Sequence, residues 1–334
     1  MKTFNYSDSP LKVFGLPFYE ENGKLERLDD DMIKQLPNLD FFGKRCAGAR
    51  VAFRTDSKKL TVSLELETLS PDVGMSRYAC QSLIVQSGTH TNPKFVGRVV
   101  PCDYETKNAS RDFELSGEMQ DILIWFPRNE IVKNISVSVN DNAVMSEPTP
   151  YKYDRVVLYG SSITEMGHCD KTTNSYPALL SSWLDCDICD MGFSGSAHGE
   201  PEMARILAGL KMSAFIMDYD HNSELDELRE RHEPFFKIIR LSQPDLPVIM
   251  LNRPLFENRS DYDERRSVVR KTYENAVKNG DKNVYFLDSE TFIPEDLRPY
   301  CTTDDTHPND FGFYLMARGI EPTLKSILEK TKTV

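Results

Sequence analysis

The sequence predicts a protein in two parts, an all-β sandwich followed by an α/β doubly wound parallel sheet. Three observations predict this fold. Short runs with alternating apolar side chains and few helix signals fill roughly the first 150 residues. A polar segment with two prolines, residues 146–150, then marks a boundary. Beyond it, apolar runs alternate with helical patterns, which is typical of a parallel sheet covered by helices.

The strands of the first part are predicted from the period-2 alternation of apolar and polar side chains. Segment 60–66 carries leucine or valine at every second position, so one face of this strand should be buried. The same signature predicts further strands, and one helical turn is expected near residues 30–36. These strands are expected at residues 50–55, 83–86, 113–115, 122–126 and 135–139. We expect residues 1–148 to form an accessory β-sandwich.

The second part, residues 151–334, is predicted to contain five strands separated by helices. Continuous apolar runs, typical of strands buried on both faces, predict the strands. They are expected at residues 156–159, 188–191, 214–219, 248–251 and 284–287. Helices are expected at residues 177–183, 201–209, 225–241, 265–278 and 311–330, the third broken or kinked near Pro234.

Composition excludes several classes of partner. The chain has 334 residues, with 40 basic against 52 acidic side chains and a formal net charge of −12. This balance argues against nucleic acid and against a polybasic membrane anchor. No apolar run approaches the ~20 residues of a membrane span, and the N-terminus lacks the apolar core of a signal peptide. Seven scattered cysteines favour free thiols in a reducing cytoplasm, so a cytoplasmic enzyme is expected.

Candidate functional residues follow the predicted strands of the second part. Polar segments, each containing glycine or asparagine, occur at residues 160–164, 190–196, 220–223 and 304–309. Because ligands of open α/β sheets bind beyond the carboxyl ends of the strands, these segments are expected to converge. The sequence therefore predicts one site that contains a serine, a histidine, carboxylates and donors of hydrogen bonds.

The residue types in these segments fit acyl transfer. Ser162 is the candidate nucleophile and His307 the candidate base, with Asp304 three residues before it to orient the imidazole. The backbone N–H groups of Ser162 and Gly195 and the side-chain amide of Asn222 are the candidate oxyanion donors. Glycine at position 195 is expected because a side chain would keep the backbone away from the substrate.

Other interpretations of neighbouring residues stay open. Ser194 and Ser196 compete with Ser162 as nucleophiles, and His198, His221 and Arg253 either line the cleft or serve the structure.

A zinc site at Cys186 and Cys189 is disfavoured because no second pair of cysteines follows, and no metal or organic cofactor is expected.

In chain order, residues 160–162, 193–195, 220–222 and 304–308 resemble the signature blocks of the SGNH (GDSL-type) hydrolase superfamily. The resemblance assigns the nucleophile to Ser162, oxyanion donors to Gly195 and Asn222, and the orienting carboxylate and base to Asp304 and His307. It also implies a flavodoxin-like order of strands in the parallel sheet.

Two positions depart from the superfamily pattern. Ser161 stands where aspartate is usual, and residues 220–223 replace the usual Gly-x-Asn-Asp. The whole chain also resembles the two-domain esterases of carbohydrate esterase family 2, through residues 50–57 and the placement of the linker. That resemblance implies a jelly-roll-like first domain and the removal of O-acetyl groups from sugars such as xylo- or manno-oligosaccharides.

Alternatives for the function are a lipase or lysophospholipase of the same superfamily, a short-chain esterase for non-carbohydrate esters, and a non-catalytic glycan-binding protein. A phosphoryl-handling enzyme is disfavoured, because the loop after Gly160 lacks the lysine of a P-loop. The expected partner is a small acetylated carbohydrate, with no nucleic acid and no membrane. An acidic chain of this kind can form a homo-oligomer, but the sequence shows no interface.

Overall fold

The structure is a computed structural model that describes residues 1–254 and 260–331. Two antiparallel sheets occupy the first part of the chain, in the orders β1-β9-β4-β7 and β10-β3-β8-β5-β6, with β2 paired to β3. Their strands are β1 (Lys2–Asn5), β2 (Lys12–Phe14), β3 (Arg50–Thr55), β4 (Lys59–Leu66), β5 (Leu83–Ser87), β6 (Lys94–Val99), β7 (Asn108–Glu114), β8 (Gln120–Trp125), β9 (Val132–Val139) and β10 (Met145–Ser146).

The two antiparallel sheets share one hydrophobic core. Every second residue of β4 is buried, as its alternating sequence predicts, and Val62 lies opposite Val137 of β9. These side chains join a cluster that also contains Phe53 and Ile124 of the other sheet. Burial of each such side chain stabilises the fold by about 1.5–3 kcal/mol.

Four strands of the first part had no sequence prediction, namely β1, β2, β6 and β10, and β7 begins five residues before the predicted segment 113–115. The cause is exposure: β1 has no fully buried residue and β7 has only one, Phe113. Strands at the border of a sheet bury few side chains, so they carry no alternating apolar pattern.

Short helices connect these strands: α1 (Tyr19–Asn22), α2 (Asp30–Gln35), α3 (Asp40–Gly43) and α4 (Arg77–Cys80). Helix α2 matches the helical turn predicted near residues 30–36. It begins there because the Asp29 carboxylate accepts hydrogen bonds from the N–H groups of Asp31 and Met32. Ile33 of this helix packs into the core of the second part of the chain.

The second part forms a five-stranded parallel sheet in the order β12-β11-β13-β14-β15. Its strands are β11 (Tyr153–Gly160), β12 (Cys186–Gly192), β13 (Ala214–Asp218), β14 (Val248–Leu251) and β15 (Val284–Leu287). Its helices are α5 (Tyr176–Leu184), α6 (Pro201–Ala208), α7 (Leu225–Ser242), α8 (Tyr262–Lys278) and α9 (Asp310–Thr331). Counted within this part, the strand order is 2-1-3-4-5, the flavodoxin-like arrangement of a doubly wound sheet.

Helices cover both faces of this parallel sheet. Val157 of β11 packs in the same cluster as residues of α6, α7 and α8, whereas Val156 packs with residues of α5 and α9. Helix α7 is continuous through Pro234, where the sequence predicted a break or a kink. None of the helices in residues 1–254 and 260–331 combines the length and apolar character that a membrane crossing requires.

Candidate active site

The predicted site residues follow the carboxyl ends of neighbouring parallel strands. Ser162 lies two residues after the end of β11, Gly195 three residues after the end of β12, and Asn222 four residues after the end of β13. His307 lies in the loop between β15 and α9. The sheet therefore brings to one edge residues that are up to 145 positions apart in the chain.

A chain of hydrogen bonds links a serine, a histidine and an aspartate at this edge. Ser162 Oγ lies 2.9 Å from His307 Nε2, and His307 Nδ1 lies 2.7 Å from Asp304 Oδ2. The second carboxylate oxygen of Asp304 accepts the backbone N–H groups of His307, at 2.7 Å, and Thr306, at 3.1 Å. The backbone of the loop thus holds one oxygen of the Asp304 carboxylate, while the other oxygen contacts the imidazole of His307.

The electrostatics of Asp304 favour one tautomer of His307. Partial burial alone would raise the pKa of Asp304, but hydrogen bonds from His307 and Thr306, together with the electrostatic attraction to the His307 ring, lower the pKa to about 2. An ionised carboxylate accepts a hydrogen bond from Nδ1–H, which leaves Nε2 with its lone pair towards Ser162. This is the tautomer that can take a proton from the serine hydroxyl.

The turn that carries Ser162 is packed too tightly for a larger residue at position 160. A Cβ atom on Gly160 would lie 1.9 Å from Thr164 Oγ1 and 2.4 Å from the carbonyl oxygen of Asp218. Ser161 is fully buried, and its Oγ accepts the backbone N–H of Ile163 at 3.2 Å. A serine hydroxyl therefore caps this turn at the position where the superfamily pattern usually has aspartate.

Two of the three candidate oxyanion donors, Gly195 and Asn222, owe their positions to different features of the structure. Gly195 has a φ of +66°, a left-handed conformation that favours glycine, and a Cβ there would meet no atom within 4 Å. The backbone conformation at position 195 thus favours glycine, and the space next to its Cα atom is open to a ligand. Asn222 Oδ1 accepts the backbone N–H of Ala197 at 3.3 Å. Among residues 1–254 and 260–331 no acceptor takes its amide N–H₂ group, which can therefore donate to a ligand.

Sequence comparison identifies the family of this site. Residues 153–325, which contain all the residues above, match the GDSL-like lipase/acylhydrolase family. The chain belongs to this family. It is a hydrolase of the GDSL type, as the four sequence blocks predicted. No curated protein matches its sequence.

Solved structures share the fold of this GDSL-like hydrolase along most of its length. A Bacteroides ovatus protein described as a GDSL-like lipase is 24% identical, with a TM-score of 0.88 and 98% coverage of both chains. A salicylyl-acyltransferase from a tetracycline biosynthetic pathway is 19% identical, with a TM-score of 0.78 over 98% of this chain and 97% of its own. A family two carbohydrate esterase from Clostridium thermocellum, solved with cellohexaose, is 16% identical, with a TM-score of 0.63 over 85% of this chain and 93% of its own.

One residue of the hydrolase site, His168, had no sequence prediction. Its ring stacks on that of His307, with centroids 4.2 Å apart, and its Nδ1 lies 2.6 Å from Thr303 Oγ1. Burial and the charge on His307 lower the pKa of His168. The sequence feature that could have indicated His168 is its position six residues after Ser162, in the same loop.

Among the described residues, His168, Asp304 and His307 also form the group of side chains best able to hold a metal ion. Their ligand atoms all lie within 4.8 Å of one another. The 2.7 Å separation of Asp304 Oδ2 and His307 Nδ1 is that of a hydrogen bond, so the geometry fits a proton between these two atoms.

The structure separates the competing serines of the hydrolase from Ser162. Ser194 hydrogen-bonds to the carboxylate of Glu165, and its Oγ also accepts a hydrogen bond from Arg128. Neither Ser194 nor Ser196 is hydrogen-bonded to a histidine in the part of the chain that the structure describes. Ser162 alone has the partner that serine nucleophiles need.

The remaining histidines near the site contact the loops that carry it. His198 lies between α7 and the loop of Gly195, with Nδ1 3.0 Å from Glu227 Oε2 and Nε2 3.2 Å from the Gly195 carbonyl oxygen. This favours the structural interpretation of His198. His221 Nε2 lies 3.5 Å from Asp220 Oδ1.

Asp220 also accepts the backbone N–H of Arg253 at 3.0 Å.

Cys186 and Cys189 pack in clusters on opposite faces of the parallel sheet, as expected for residues three apart on a strand, so they do not form a common metal site.

Proposed function

We propose that this chain is a serine esterase that removes O-acetyl groups from small carbohydrates such as acetylated xylo- or manno-oligosaccharides. The observation that carries the proposal is the hydrogen-bonded chain Ser162–His307–Asp304, with atom separations of 2.9 and 2.7 Å. A serine with a histidine partner, and a histidine with a carboxylate partner, are the groups that acyl transfer to serine requires.

The first half of the reaction forms an acyl-enzyme. His307 takes the proton of Ser162 as Oγ attacks the acetyl carbonyl carbon, and the carbonyl oxygen becomes an oxyanion. The N–H groups of Ser162 and Gly195 and the amide of Asn222 stabilise this oxyanion. His307 then gives its proton to the sugar oxygen as the ester bond breaks, which leaves acetyl-Ser162 and the free sugar hydroxyl.

Water completes the reaction. His307 takes a proton from a water molecule, whose oxygen attacks the acetyl carbonyl and forms a second tetrahedral oxyanion. The bond to Ser162 Oγ breaks, the serine regains its proton from His307, and acetic acid leaves and ionises to acetate in water. Asp304 stays ionised throughout and stabilises the imidazolium, which is worth several kcal/mol in related triads.

The polarity of the surrounding loops supports a sugar rather than a long acyl chain as the bulky part of the substrate. Two of the segments that hold the site read Asp-His-Asn-Ser at residues 220–223 and Thr-Thr-Asp-Asp-Thr at 302–306. Hydroxyl, amide and carboxylate groups can hydrogen-bond a sugar, whereas a lipase needs an apolar groove. The shared fold with the Clostridium thermocellum carbohydrate esterase supports the same choice.

We further propose that the two antiparallel sheets form a jelly-roll-like β-sandwich over residues 1–148, with the catalytic domain at residues 151–334. Their common hydrophobic core supports this division. Seven free cysteines support a cytoplasmic location, where thiols stay reduced. The substrate would then be an imported oligosaccharide rather than an intact polymer.

Mass spectrometry of acetylated xylo- and manno-oligosaccharides tests the proposal. Wild-type protein is expected to remove acetyl groups from at least one of the two classes, and Ser162→Ala from neither. A p-nitrophenyl ester series from acetate to palmitate runs in parallel. Intact oligosaccharides, together with rates that rise with acyl length, would contradict the proposal and favour a lipase.

A further inference from the structure

A buried carboxylate lies directly beneath the candidate oxyanion loop. Glu165 comes three residues after Ser162, and its side chain has no exposed surface. Its Oε2 accepts the backbone N–H of Ser194 at 3.1 Å and also a hydrogen bond from the Ser194 hydroxyl. Ser194 is the residue before Gly195, so Glu165 holds the chain at the point where the oxyanion donor begins.

Arginines from the first part of the chain surround this carboxylate. Arg27 Nη2 donates to Glu165 Oε1 at 2.6 Å, and Arg45 Nη1 lies 3.8 Å from the same oxygen. Arg128 Nη2 lies 3.6 Å from Oε2, and its Nε donates to the Glu165 backbone carbonyl at 2.6 Å. All three arginines are buried. Burial alone would raise the pKa of Glu165, but the three guanidinium charges outweigh it and lower the pKa.

Two of these arginines also contact the end of β12 and the loop that follows it. Arg27 Nη1 donates to the carbonyl oxygens of Gly192, at 2.5 Å, and Asp190, at 3.3 Å. Arg128 Nη2 donates to Ser194 Oγ at 2.6 Å. The end of β12 and Ser194 in the loop after it are thus held by charge-assisted hydrogen bonds from residues that precede the parallel sheet in the chain.

The direction of the Gly195 N–H depends on these contacts. That N–H belongs to the peptide group between Ser194 and Gly195, so its orientation follows from the backbone of Ser194. The cluster fixes Ser194 at both its N–H and its hydroxyl. An oxyanion donor stabilises the transition state only where it already points at the developing charge.

We propose that Glu165 and Arg128 are positioning residues, which orient the Gly195 N–H as an oxyanion donor by holding Ser194. The N-terminal sheets are then part of the catalytic apparatus, since the loop after β8 supplies Arg128. This inference rests on the proposed esterase function and adds to it a role for charges that the reaction itself does not use.

Ser194→Ala is the sharpest test. It removes the hydroxyl that Glu165 and Arg128 hold, yet it leaves the buried carboxylate paired with its arginines. Ser196→Ala is the matched control, with the same atoms removed from the same loop outside the cluster. Ser194→Ala is expected to lower kcat for p-nitrophenyl acetate about tenfold with KM changed less than about twofold, and Ser196→Ala to leave both constants within about twofold.

A boronic acid that forms a tetrahedral adduct with serine gives a second readout. Its affinity is expected to fall in Ser194→Ala by about the same factor as kcat and to recover in part in Ser194→Thr, with unchanged unfolding temperatures. Wild-type kcat and boronate affinity in Ser194→Ala would overturn the inference. If the natural substrate is not an acetylated sugar, the comparison of Ser194→Ala with the wild type still holds, because p-nitrophenyl acetate and the boronic acid contain no sugar. A wrong nucleophile shows in Ser162→Ala, which would then equal the wild type and overturn both proposals.

Discussion

The imidazole of His168 stacks on the imidazole of His307, with the ring planes 23° from parallel. His168 is itself fixed from two sides. Its Nδ1 lies 2.6 Å from Thr303 Oγ1, and Gly74 of the first part of the chain lies against its ring, where a Cβ would be 2.3 Å from Cε1. A catalytic base must keep its ring in line with both Ser162 and its orienting carboxylate, so this stack restricts the motion that would break that alignment.

Removal of the stacked ring is predicted to slow the reaction. His168→Ala leaves one face of His307 without support, and kcat for p-nitrophenyl acetate is expected to fall about tenfold. His168→Phe keeps a ring over His307 and should retain most of the wild-type rate. Equal rates in His168→Ala and the wild type would show that the stack does not serve catalysis.

Substitutions at Asn222 are predicted to separate its two hydrogen-bonding roles. Asn222→Ala removes both the acceptor for Ala197 N–H and the amide donor, and kcat should fall roughly 10²–10³-fold if the amide binds the oxyanion. Asn222→Asp keeps the acceptor but lacks the donor, so an equal or larger loss is expected. Steady-state kinetics of the two variants check this. A fully active Asn222→Asp would assign Asn222 to loop structure alone.

Asp218 is predicted to make the stability of the fold depend on pH. Burial raises the pKa of Asp218 to about 7, against hydrogen bonds from Tyr176 and Thr164 that lower it. The ordinary pKa of the unfolded state is 3.8, so between pH 4 and pH 7 the unfolded chain loses this proton first. The stability that this group contributes is therefore present at low pH and is lost as the pH rises towards 7.

Asp218→Asn mimics the protonated side chain and should remove this loss. Its melting temperature is expected to equal that of the wild type near pH 4 and to exceed it by about 2–5 °C at pH 8. Asp226→Asn, on the exposed face of α7, is the control and should shift the melting temperature equally at both pH values. Circular dichroism follows the melting temperature. If Asp218→Asn shows the same dependence of melting temperature on pH as the wild type, a group other than Asp218 is responsible for that dependence.

The parallel sheet was predictable because its strands are buried on both faces. Segment 156–159 reads Val-Val-Leu-Tyr, a continuous apolar run typical of such a strand. The structure confirms this strand within β11. Strand β7 was mostly missed, because its exposed residues at the border of a sheet carry no constraint on polarity. The meeting of Ser162 and His307 at one edge of the sheet was predictable because short blocks in a fixed order carry them, whereas their catalytic roles stay a prediction.

The cluster around Glu165 could not be predicted from the sequence. Arg27 and Glu165 lie 138 positions apart in the chain. From sequence alone, an arginine in a polar segment is predicted to be exposed at the surface. Only the folded chain shows that three arginines meet one carboxylate. His168 was missed for a similar reason, since a histidine without a neighbouring motif acquires its meaning from the ring it contacts.

Hydrolysis of p-nitrophenyl acetate by Ser162→Ala decides whether Ser162 is the nucleophile. The substitution removes the nucleophilic oxygen and leaves His307 and Asp304 in place, so kcat is expected to fall by about 10³-fold or more with an unchanged circular dichroism spectrum. Ser196→Ala, prepared in parallel, should keep the wild-type rate. A wild-type rate in folded Ser162→Ala would exclude Ser162 as the nucleophile.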